Sequence, residues 1–403
     1  MSRQTTQSIS IPPFWRDIRF LRVVVQLAFL IITIFLFSWL FNNTQNGLKR
    51  AGLSLSFDFL DQQSSFQIDE GLSPSPHTRQ DSFAHAFGIG FINTLRVIFI
   101  GLILTTIVGL VMGVARLSTN WLIRQIAAVY VEIMQNTPLL LQLIFLYVGV
   151  ILLLPSVSQS VILPGPIYLS VRGIALPGLW STATTLPWLV IVGIGLVAGV
   201  ILWHRNRRLQ LDTGRKTYGL EIGSLVFLAV ALISWLGFSV LSQQAAPFIV
   251  SLPEISGLRF DDSRGVIVSP EFVAIVAGLV LYTGAFIAEI VRAGIQSVPK
   301  GQWEAARSQG FSYFQILRLI VLPQALRVMI PPLTNQYINL IKNSSLGAIV
   351  GYSDLFGVSK TIQLQSGQAI QVVTIVMISY LILDLAAAAI MNILNGRFQF
   401  KTR

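Results

Sequence analysis

The stretch EAARSQGFSYFQILRLIVLP, residues 304–323, lies between two long apolar segments near the carboxyl end of the chain. It opens on three residues that favour a helix, Glu304, Ala305 and Ala306. Gly310 interrupts it and permits a bend or the close approach of another backbone. Pro323 predicts the end of the segment before the next apolar run. We therefore predict a short polar helix, closed by a glycine turn, in a loop between two membrane spans.

The composition around this stretch is that of a membrane protein. Apolar residues make up 53% of the 403 residues, charged residues 11%, and the mean hydropathy is +0.70. A soluble chain usually carries about 25% charged residues. The net charge of +11 also fits a nucleic-acid partner, but Lys and Arg accumulate in the cytoplasmic loops of membrane proteins. We expect a lipid bilayer around this chain and no nucleic acid.

Eight apolar segments have about the length that a membrane-spanning helix needs, which is roughly 20 residues. The predicted spans are residues 22–41, 89–115, 128–154, 186–203, 221–241, 271–293, 328–350 and 370–395. The first also fits a signal peptide, but its apolar run is long and no small-residue cleavage site follows, which favours an uncleaved anchor. With the amino terminus inside, 19 of the 28 Lys and Arg residues lie in cytoplasmic segments, which predicts that both termini are cytoplasmic.

Several chemistries are not expected from this sequence. It has no cysteine, which excludes disulfides and thiolate metal sites. The three histidines, His77, His85 and His204, show no ligand spacing, so no metal site is predicted. The sequence has no phosphate-binding loop of the GxxxxGK[ST] type and no HExxH motif. We expect neither a catalytic site nor ATP hydrolysis by this chain.

Ionisable residues within membrane spans cost about 2.5–3.5 kcal/mol each on insertion scales. Arg96 lies near the outer end of its predicted span, where its side chain is able to extend to the interface. Glu289 and Arg292 are three residues apart on one predicted helix, so they are expected to pair with each other. Asp384 lies in the last span, where it is predicted to contact a polar group of a neighbouring helix.

The fixed positions of the opening stretch resemble the EAA loop of ABC importer permease subunits. In this sequence Glu304-Ala305-Ala306 are followed after three residues by Gly310, after nine more by Ile320, and then by Leu322-Pro323. In that family the loop is the coupling helix that docks in a groove of the cytoplasmic ATPase. The alternative is an amphipathic helix at the membrane surface whose spacing arose by chance.

Neighbouring segments narrow the resemblance to polar amino-acid uptake permeases. These are INTLRVIFIGLILTTIVGLVMGVARLS (92–118), QNTPLLLQLIF (135–145), AFIAEIVRAGIQSVPKGQWEAA (285–306) and INLIKNSSL (338–346). The extra first helix and a long insertion resemble the longer subunit of the general L-amino-acid, or glutamate/glutamine/aspartate, permease branch. One departure is Gln135-Asn136, where the family motif often carries Arg before Gly-Thr-Pro.

The resemblance implies an all-α polytopic membrane protein, a type I ABC importer transmembrane domain. Its five-helix core carries about three extra helices. The implied division is an anchor helix and periplasmic loop at 1–88, the first part of the core at 89–154, an insertion with two extra helices at 155–270, and the second part of the core with its coupling loop at 271–403.

The same resemblance implies the partners and the place of the chain. An ABC ATPase homodimer binds the ATP and Mg, so this chain has no cofactor of its own. A periplasmic amino-acid-binding protein delivers the solute, and a second, shorter permease subunit or a second copy of this chain completes the pathway. The location is the bacterial inner membrane. The alternative is a stand-alone secondary transporter or channel, for which discontinuous spans in matching halves are typical; Pro331-Pro332 is the one hint of such a span.

Lys342 is the candidate substrate contact. It lies about fourteen residues into its predicted span, among the polar residues Asn339, Asn343, Ser344 and Ser345. A desolvated ammonium group requires an anion or several acceptors. An amino acid brings a carboxylate, and Glu289 is then a candidate for its amine. The alternative is a permanent ion pair of Lys342 with Glu289 or Asp384.

Overall fold

The computed structural model describes residues 18–50, 56–70, 77–214, 217–241, 246–261 and 264–398. The helices are α1 Ile18–Arg50, α2 Phe83–Ala115, α3 Trp121–Asn136, α4 Leu139–Ile144, α5 Thr185–Thr213, α6 Gly219–Leu236, α7 Pro270–Gln296, α8 Lys300–Ser308, α9 Tyr313–Ile316, α10 Leu322–Asn343, α11 Leu355–Ser366 and α12 Ala369–Phe398. The basic terminal segments 1–17 and 399–403, on which the predicted orientation rests in part, lie outside the described residues.

Seven of the described helices are long and apolar enough to cross a membrane, and an eighth span is counted if one bent pair is included. This agrees with the predicted spans except at 128–154, which was predicted as one continuous helix. There α3 and the helical segment Leu139–Leu153 meet at 108°. Thr137 is extended because a proline follows it, and Pro138 has no N–H to continue the helix. The third predicted span is therefore not one continuous helix but a pair of helices bent sharply at Thr137 and Pro138.

The predicted helix end at Pro323 is not observed. Helix α9, one π-helical turn at Leu317–Val321 and α10 form a single helical run, Tyr313–Ile349. A proline ring normally clashes with the carbonyl group four residues earlier. The wider π-turn directly before Pro323 opens that region of the backbone, which is the physical reason that the helix continues. Pro331 and Pro332 also lie inside α10 without ending it.

Helices α2 and α7 form the centre of the bundle, and they approach closely because small residues lie between them. A methyl group added at Gly113 would lie 2.7 Å from the carbonyl oxygen of Ala288, and one added at Gly109 would lie 2.4 Å from Ile287. Such contacts between backbones are typical of helices packed in a membrane. Helix α10 packs on α7 and on α12, and α11 packs on α2.

The insertion 155–270 contains more than the two predicted helices. Helices α5 and α6 pack on each other, with the backbones of Gly199 and Gly223 in contact. On either side of them, where polar loops were predicted, the described chain forms eight short strands: β1 Val161–Leu163, β2 Ile167–Ser170, β3 Gly173–Leu176, β4 Gly178–Ser181, β5 Phe248–Ser251, β6 Ile255–Ser256, β7 Arg259–Phe260 and β8 Val266–Val268. They are too short for a period-two pattern to be recognised.

The strands join the two ends of the insertion. One antiparallel sheet has the order β1-β2-β3-β8, with Ile174 paired to Val268. Strand β8 ends directly before α7, so the sheet lies at the end of the bundle where α7 begins. The other pairs are β4 with β5 and β6 with β7.

The predicted outer loop 42–88 is partly folded. Residues 42–50 instead continue α1, and residues 83–88 begin α2. Between them, the described residues include one 3-10 turn, Asp58–Asp61, and two antiparallel bridges, Gln63 with Ser82 and Ile68 with His77. Phe59 and Ile68 are buried in a cluster with residues of α2 and α11. The loop is therefore packed against the end of the bundle opposite to α8.

Candidate functional site

The predicted coupling loop forms a short helix followed by a left-handed turn. Helix α8 ends at Ser308, and Gly310 has a φ of +81°, which only glycine adopts without strain. The N–H of Gly310 donates to the carbonyl of Arg307 at 2.9 Å, and that of Phe311 donates to Ala306 at 3.2 Å. The predicted short helix with a bend at Gly310 is therefore observed.

The chain after Gly310 starts a new helix with its own cap. The Ser312 hydroxyl accepts a hydrogen bond from the N–H of Gln315, whose side chain accepts one from the N–H of Ser312. This reciprocal arrangement satisfies two N–H groups at a helix start. Helix α8 is thus followed by a left-handed turn at Gly310 and then by a capped helix start at Ser312.

One side of α8 faces the protein and the other is free. Ala306 is buried in a cluster with Val298, Ile316 and other apolar side chains, whereas Glu304 and Ala305 are exposed. Within the EAA motif, the third residue anchors the helix and the first two are presented on its outer surface. The arrangement provides a small, rigid surface at the tip of the bundle.

A polar cavity of about 300 Å³ lies between α7 and α10. Its lining residues are Tyr282, Thr283, Phe286, Gln336, Asn339 and Asn343. Of these, Asn339 belongs to the predicted substrate site, and Asn343 is one of the polar residues noted beside Lys342 in the sequence. The amide residues at 336, 339 and 343 follow helical spacing on one face of an apolar span, and this is the signal from which the cavity was predictable.

Lys342 has a counter-ion in the structure. Its Nζ atom lies 3.7 Å from Oδ2 of Asp384 on α12, which is one of the two partners considered from the sequence. The side chain of Lys342 is 60% exposed and that of Asp384 is 19% exposed. Oδ1 of Asp384 is buried and has no hydrogen-bond partner among the described residues. The substrate role of Lys342 stays a prediction.

The other predicted contacts lie away from the cavity lining. The Ser344 hydroxyl donates to the carbonyl of Ile341, and the Ser345 hydroxyl donates to that of Lys342, each at 2.7 Å. Both hydroxyls thus bond to their own helix. The structure brings Asn339 to the cavity, and it does not bring the two serines there.

Glu289 lies in an ion-pair cluster between α7 and α2. Its carboxylate accepts hydrogen bonds from Arg292 on the same helix, as predicted, and from Arg116 at the end of α2. Arg116 was not foreseen because 173 residues separate it from Glu289. With two guanidinium groups around it, the carboxylate is better placed to tie α7 to α2 than to meet a substrate amine.

A second polar cluster closes the end of the bundle opposite to α8. Glu70 of the outer loop accepts hydrogen bonds from the hydroxyl of Ser269, which caps α7, and from the N–H of Ser353 at 3.3 Å. The side chain of Asn93 on α2 donates to the carbonyl of Ser353 at 2.9 Å. These contacts connect the outer loop, α2, α7 and the segment before α11.

Two carboxyl groups in this cluster have raised pKa values. Burial raises the pKa of Glu70 to about 7. The hydrogen bonds from Ser269 and Ser353 lower the pKa, but by less than burial raises it. Burial also raises the pKa of Asp354 to about 7, although its carboxylate accepts a hydrogen bond from the N–H of Gly357 at the start of α11. Both groups are therefore expected to titrate near neutral pH.

We expect Glu70→Gln to weaken the pH dependence of stability. The folded chain holds a proton on Glu70 that the unfolded chain releases above a pH of about 4.5, so the free energy of unfolding falls as pH rises from there to about 7. Glutamine resembles the protonated acid and carries no charge at either pH. Thermal unfolding of the purified chain at pH 5 and pH 8 is the measurement, with Asp69→Asn on the same loop as control. An equal pH effect in the wild type and Glu70→Gln would contradict the assignment.

Long apolar helices, the exposed helix α8 and the polar cavity between α7 and α10 are together typical of a membrane permease subunit. Sequence comparison agrees with this class. The model of the family described as the binding-protein-dependent transport system inner membrane component matches residues 105–401. The chain belongs to this family of ABC transporter permeases. The predicted fold class, a polytopic helical protein of the ABC importer permease type, is thereby confirmed, with the short strands as an addition to it.

Within that family the similarity extends over almost the whole chain. The general L-amino acid transport system permease protein AapQ of Rhizobium johnstonii is 38% identical over 96% of this chain and 94% of its own length. The glutamate/glutamine/aspartate/asparagine transport system permease protein BztB of Rhodobacter capsulatus is 32% identical over 96% of each. The predicted resemblance to this permease branch is confirmed.

Among solved structures, an amino acid ABC transporter crystallised with histidines has a TM-score of 0.46 to this chain. The identity is 20%, and the match covers 78% of this chain and 95% of that one.

Proposed function

We propose that this chain is the membrane-spanning subunit of an ABC importer that takes up amino acids delivered by a periplasmic binding protein. The observation that carries the proposal is the full-length similarity to AapQ and BztB, whose names state amino-acid transport. The exposed helix α8 supports it, because an importer subunit that lacks its own ATP site requires a surface on which a separate ATPase acts.

The polar cavity fits the chemistry of an amino acid. A zwitterion presents a carboxylate and an ammonium group close together. The amide groups of Gln336, Asn339 and Asn343 each offer donors and an acceptor, so one set of side chains serves both ends. Lys342, one turn after Asn339, adds a positive charge for the carboxylate. Tyr282 and Phe286 provide apolar surface for the substrate side chain.

The ATPase and the second permease subunit are part of the same proposal. The ATPase homodimer, which binds ATP and Mg, docks on Glu304 and Ala305 of α8 from the cytoplasm, with both termini of this chain on that side. The outer loop and the Glu70 cluster then face the periplasm and the binding protein. A shorter homologous permease, or a second copy of this chain, completes the pathway in the bacterial inner membrane.

We expect Asn339→Ala to raise the KM for amino-acid uptake by roughly tenfold, because a hydrogen bond to a charged group contributes about 1.5 kcal/mol. Ser345→Ala is the matched control, since its hydroxyl bonds to its own helix. Uptake of labelled amino acids is measured in a deletion strain carrying each variant.

The same system tests the proposed function. We expect uptake to require ATP and the co-expressed ATPase, and to be competed by unlabelled amino acids. ATP-independent transport by the purified chain alone would favour the secondary transporter. A secondary transporter is expected to have discontinuous spans in matching halves. The helices on either side of Pro138 are bent sharply in the first half, but α10 continues through Pro331 and Pro332, so the described helix α10 provides no matching break in the second half.

A further inference from the structure

Two histidines and one aspartate meet where the outer loop joins α2. Nδ1 of His77 lies 3.1 Å from Nδ1 of His85. Oδ2 of Asp81 lies 3.8 Å from Nδ1 of His77 and 3.7 Å from Nδ1 of His85. A tetrahedral zinc ion with bonds of about 2.0–2.2 Å holds its ligand atoms about 3.3–3.5 Å apart. The three atoms are thus already close to the spacing of zinc ligands.

The hydrogen bonds of His77 direct its lone pair into this cluster. Its Nε2 atom lies 2.6 Å from the hydroxyl of Ser64, and that hydroxyl lies 3.4 Å from the carbonyl of Phe66. When the hydroxyl donates to the carbonyl, it accepts from Nε2–H, and Nδ1 is left unprotonated. Metal-binding histidines typically have their second nitrogen held in this way. Burial of the ring lowers the pKa of His77, which favours the neutral form that a metal requires.

The carboxylate is held in place by its own neighbours. Oδ2 of Asp81 accepts hydrogen bonds from the N–H of Thr78 at 2.6 Å and from its hydroxyl at 2.8 Å. These bonds keep the pKa of Asp81 below its usual range, so the group is ionised at neutral pH. The cluster therefore offers two imidazole nitrogens and one negative oxygen, and this donor set suits a divalent cation.

The sequence pattern did not indicate this site. His77 precedes α2 and His85 lies in its first turn, so their separation of eight residues matches no common ligand motif. The loop brings them together because Ile68 pairs with His77 and Gln63 pairs with Ser82. The folded outer loop, rather than the spacing, creates the cluster.

We propose that His77, Asp81 and His85 bind one zinc ion, with water as the fourth ligand. Two imidazoles with one carboxylate favour Zn²⁺ over Ca²⁺ or Mg²⁺, which prefer oxygen ligands. The side chains of Asp81 and His85 are 37% and 47% exposed, so the open position is accessible to solvent. Zinc at this position fixes the outer loop to the first turn of α2.

The test is zinc binding by the purified full chain. The chain carries an affinity tag without histidine, is stripped with a chelator, and is titrated with Zn²⁺ in a calorimeter, with bound metal counted by mass spectrometry. We expect about one equivalent per chain. His85→Gln and Asp81→Asn are expected to lower the affinity by at least roughly a hundredfold, since changes even in the surrounding shell cost 10–100-fold.

The third histidine provides the matched control. His204 lies on α5 with its ring beside Trp203, so His204→Gln is expected to bind zinc like the wild type. A second readout is thermal unfolding: Zn²⁺ should raise the midpoint of the wild type and of His204→Gln, and leave that of His85→Gln unchanged. His85 is half-exposed, so the variant is expected to fold.

Two outcomes would overturn the proposal. The first is weak zinc binding: less than half an equivalent by the wild type, or the same affinity in the wild type and in His85→Gln. The second is a cluster that binds a proton but no metal. In that case His85→Gln changes the pH dependence of unfolding, and zinc changes the unfolding of no variant. Neither outcome depends on transport, so this test is independent of the proposed function.

Discussion

Gly310→Val is expected to reduce ATP-driven uptake by at least tenfold while the chain still inserts in the membrane. A residue with a Cβ atom at a φ of +81° costs about 1–2 kcal/mol in backbone strain, and a β-branched residue costs more. No atom lies within 4 Å of the added Cβ, so the effect arises from the backbone alone. Relief of the strain requires the turn to open, which moves α8 relative to the bundle.

Gly301 provides the control for this prediction. It lies on α8 itself, has open space around it, and has an ordinary helical φ. Gly301→Val is therefore expected to leave uptake largely intact. ATPase that co-purifies with each variant, its ATP hydrolysis and the uptake are measured together. If Gly310→Val supports normal uptake in a strain that contains wild-type amounts of the complex, α8 is not the coupling helix.

Lys342→Ala is expected to abolish uptake while the complex still assembles and hydrolyses ATP at its basal rate. This follows if Lys342 holds the substrate carboxylate and Asp384 is its counter-ion between transport cycles. A permanent ion pair predicts a different result. Removal of the lysine then leaves the carboxylate of Asp384, which is 19% exposed, without its counter-ion, and we expect a reduced yield of the complex.

The double variant Lys342→Ala/Asp384→Asn separates the two cases. If the pair is structural, the second change removes the unpaired charge and restores both assembly and uptake. If Lys342 binds substrate, the double variant assembles but does not transport. Complex yield and uptake are measured in the same membranes. Full uptake by an assembled Lys342→Ala variant would contradict the substrate role directly.

The elements that the sequence predicts well are those set by local chemistry. Spans follow from apolar length, and the turn after α8 follows from Gly310, because a φ of +81° strongly favours glycine. The continuation through Pro323 was missed because a π-turn is a property of the backbone and has no residue signature. The strands beside α5 and α6 were missed because they are only two to four residues long.

The candidate site was predicted less completely, because its contacts join distant parts of the chain. Asn339 was identified because it lies close to Lys342 in the sequence of an apolar span. The pair of Lys342 with Asp384 was one of the two ion pairs considered, the other being with Glu289. The pairing of Glu289 with Arg116, and the contact of Glu70 with Ser353, depend on how α2, α7 and the outer loop pack. Residues so far apart become neighbours only through the tertiary fold.

The sheet β1-β2-β3-β8 brings the two ends of residues 155–270 close together. The N–H of Val171 donates to the carbonyl of Pro155 at 2.8 Å, and the adjoining strand β3 pairs with β8 directly before α7. The insertion therefore leaves and re-enters the core at neighbouring points. Segments whose ends lie close together are readily gained or lost as a unit. This geometry allows residues 155–270 to be gained or lost without displacing the flanking helices α4 and α7.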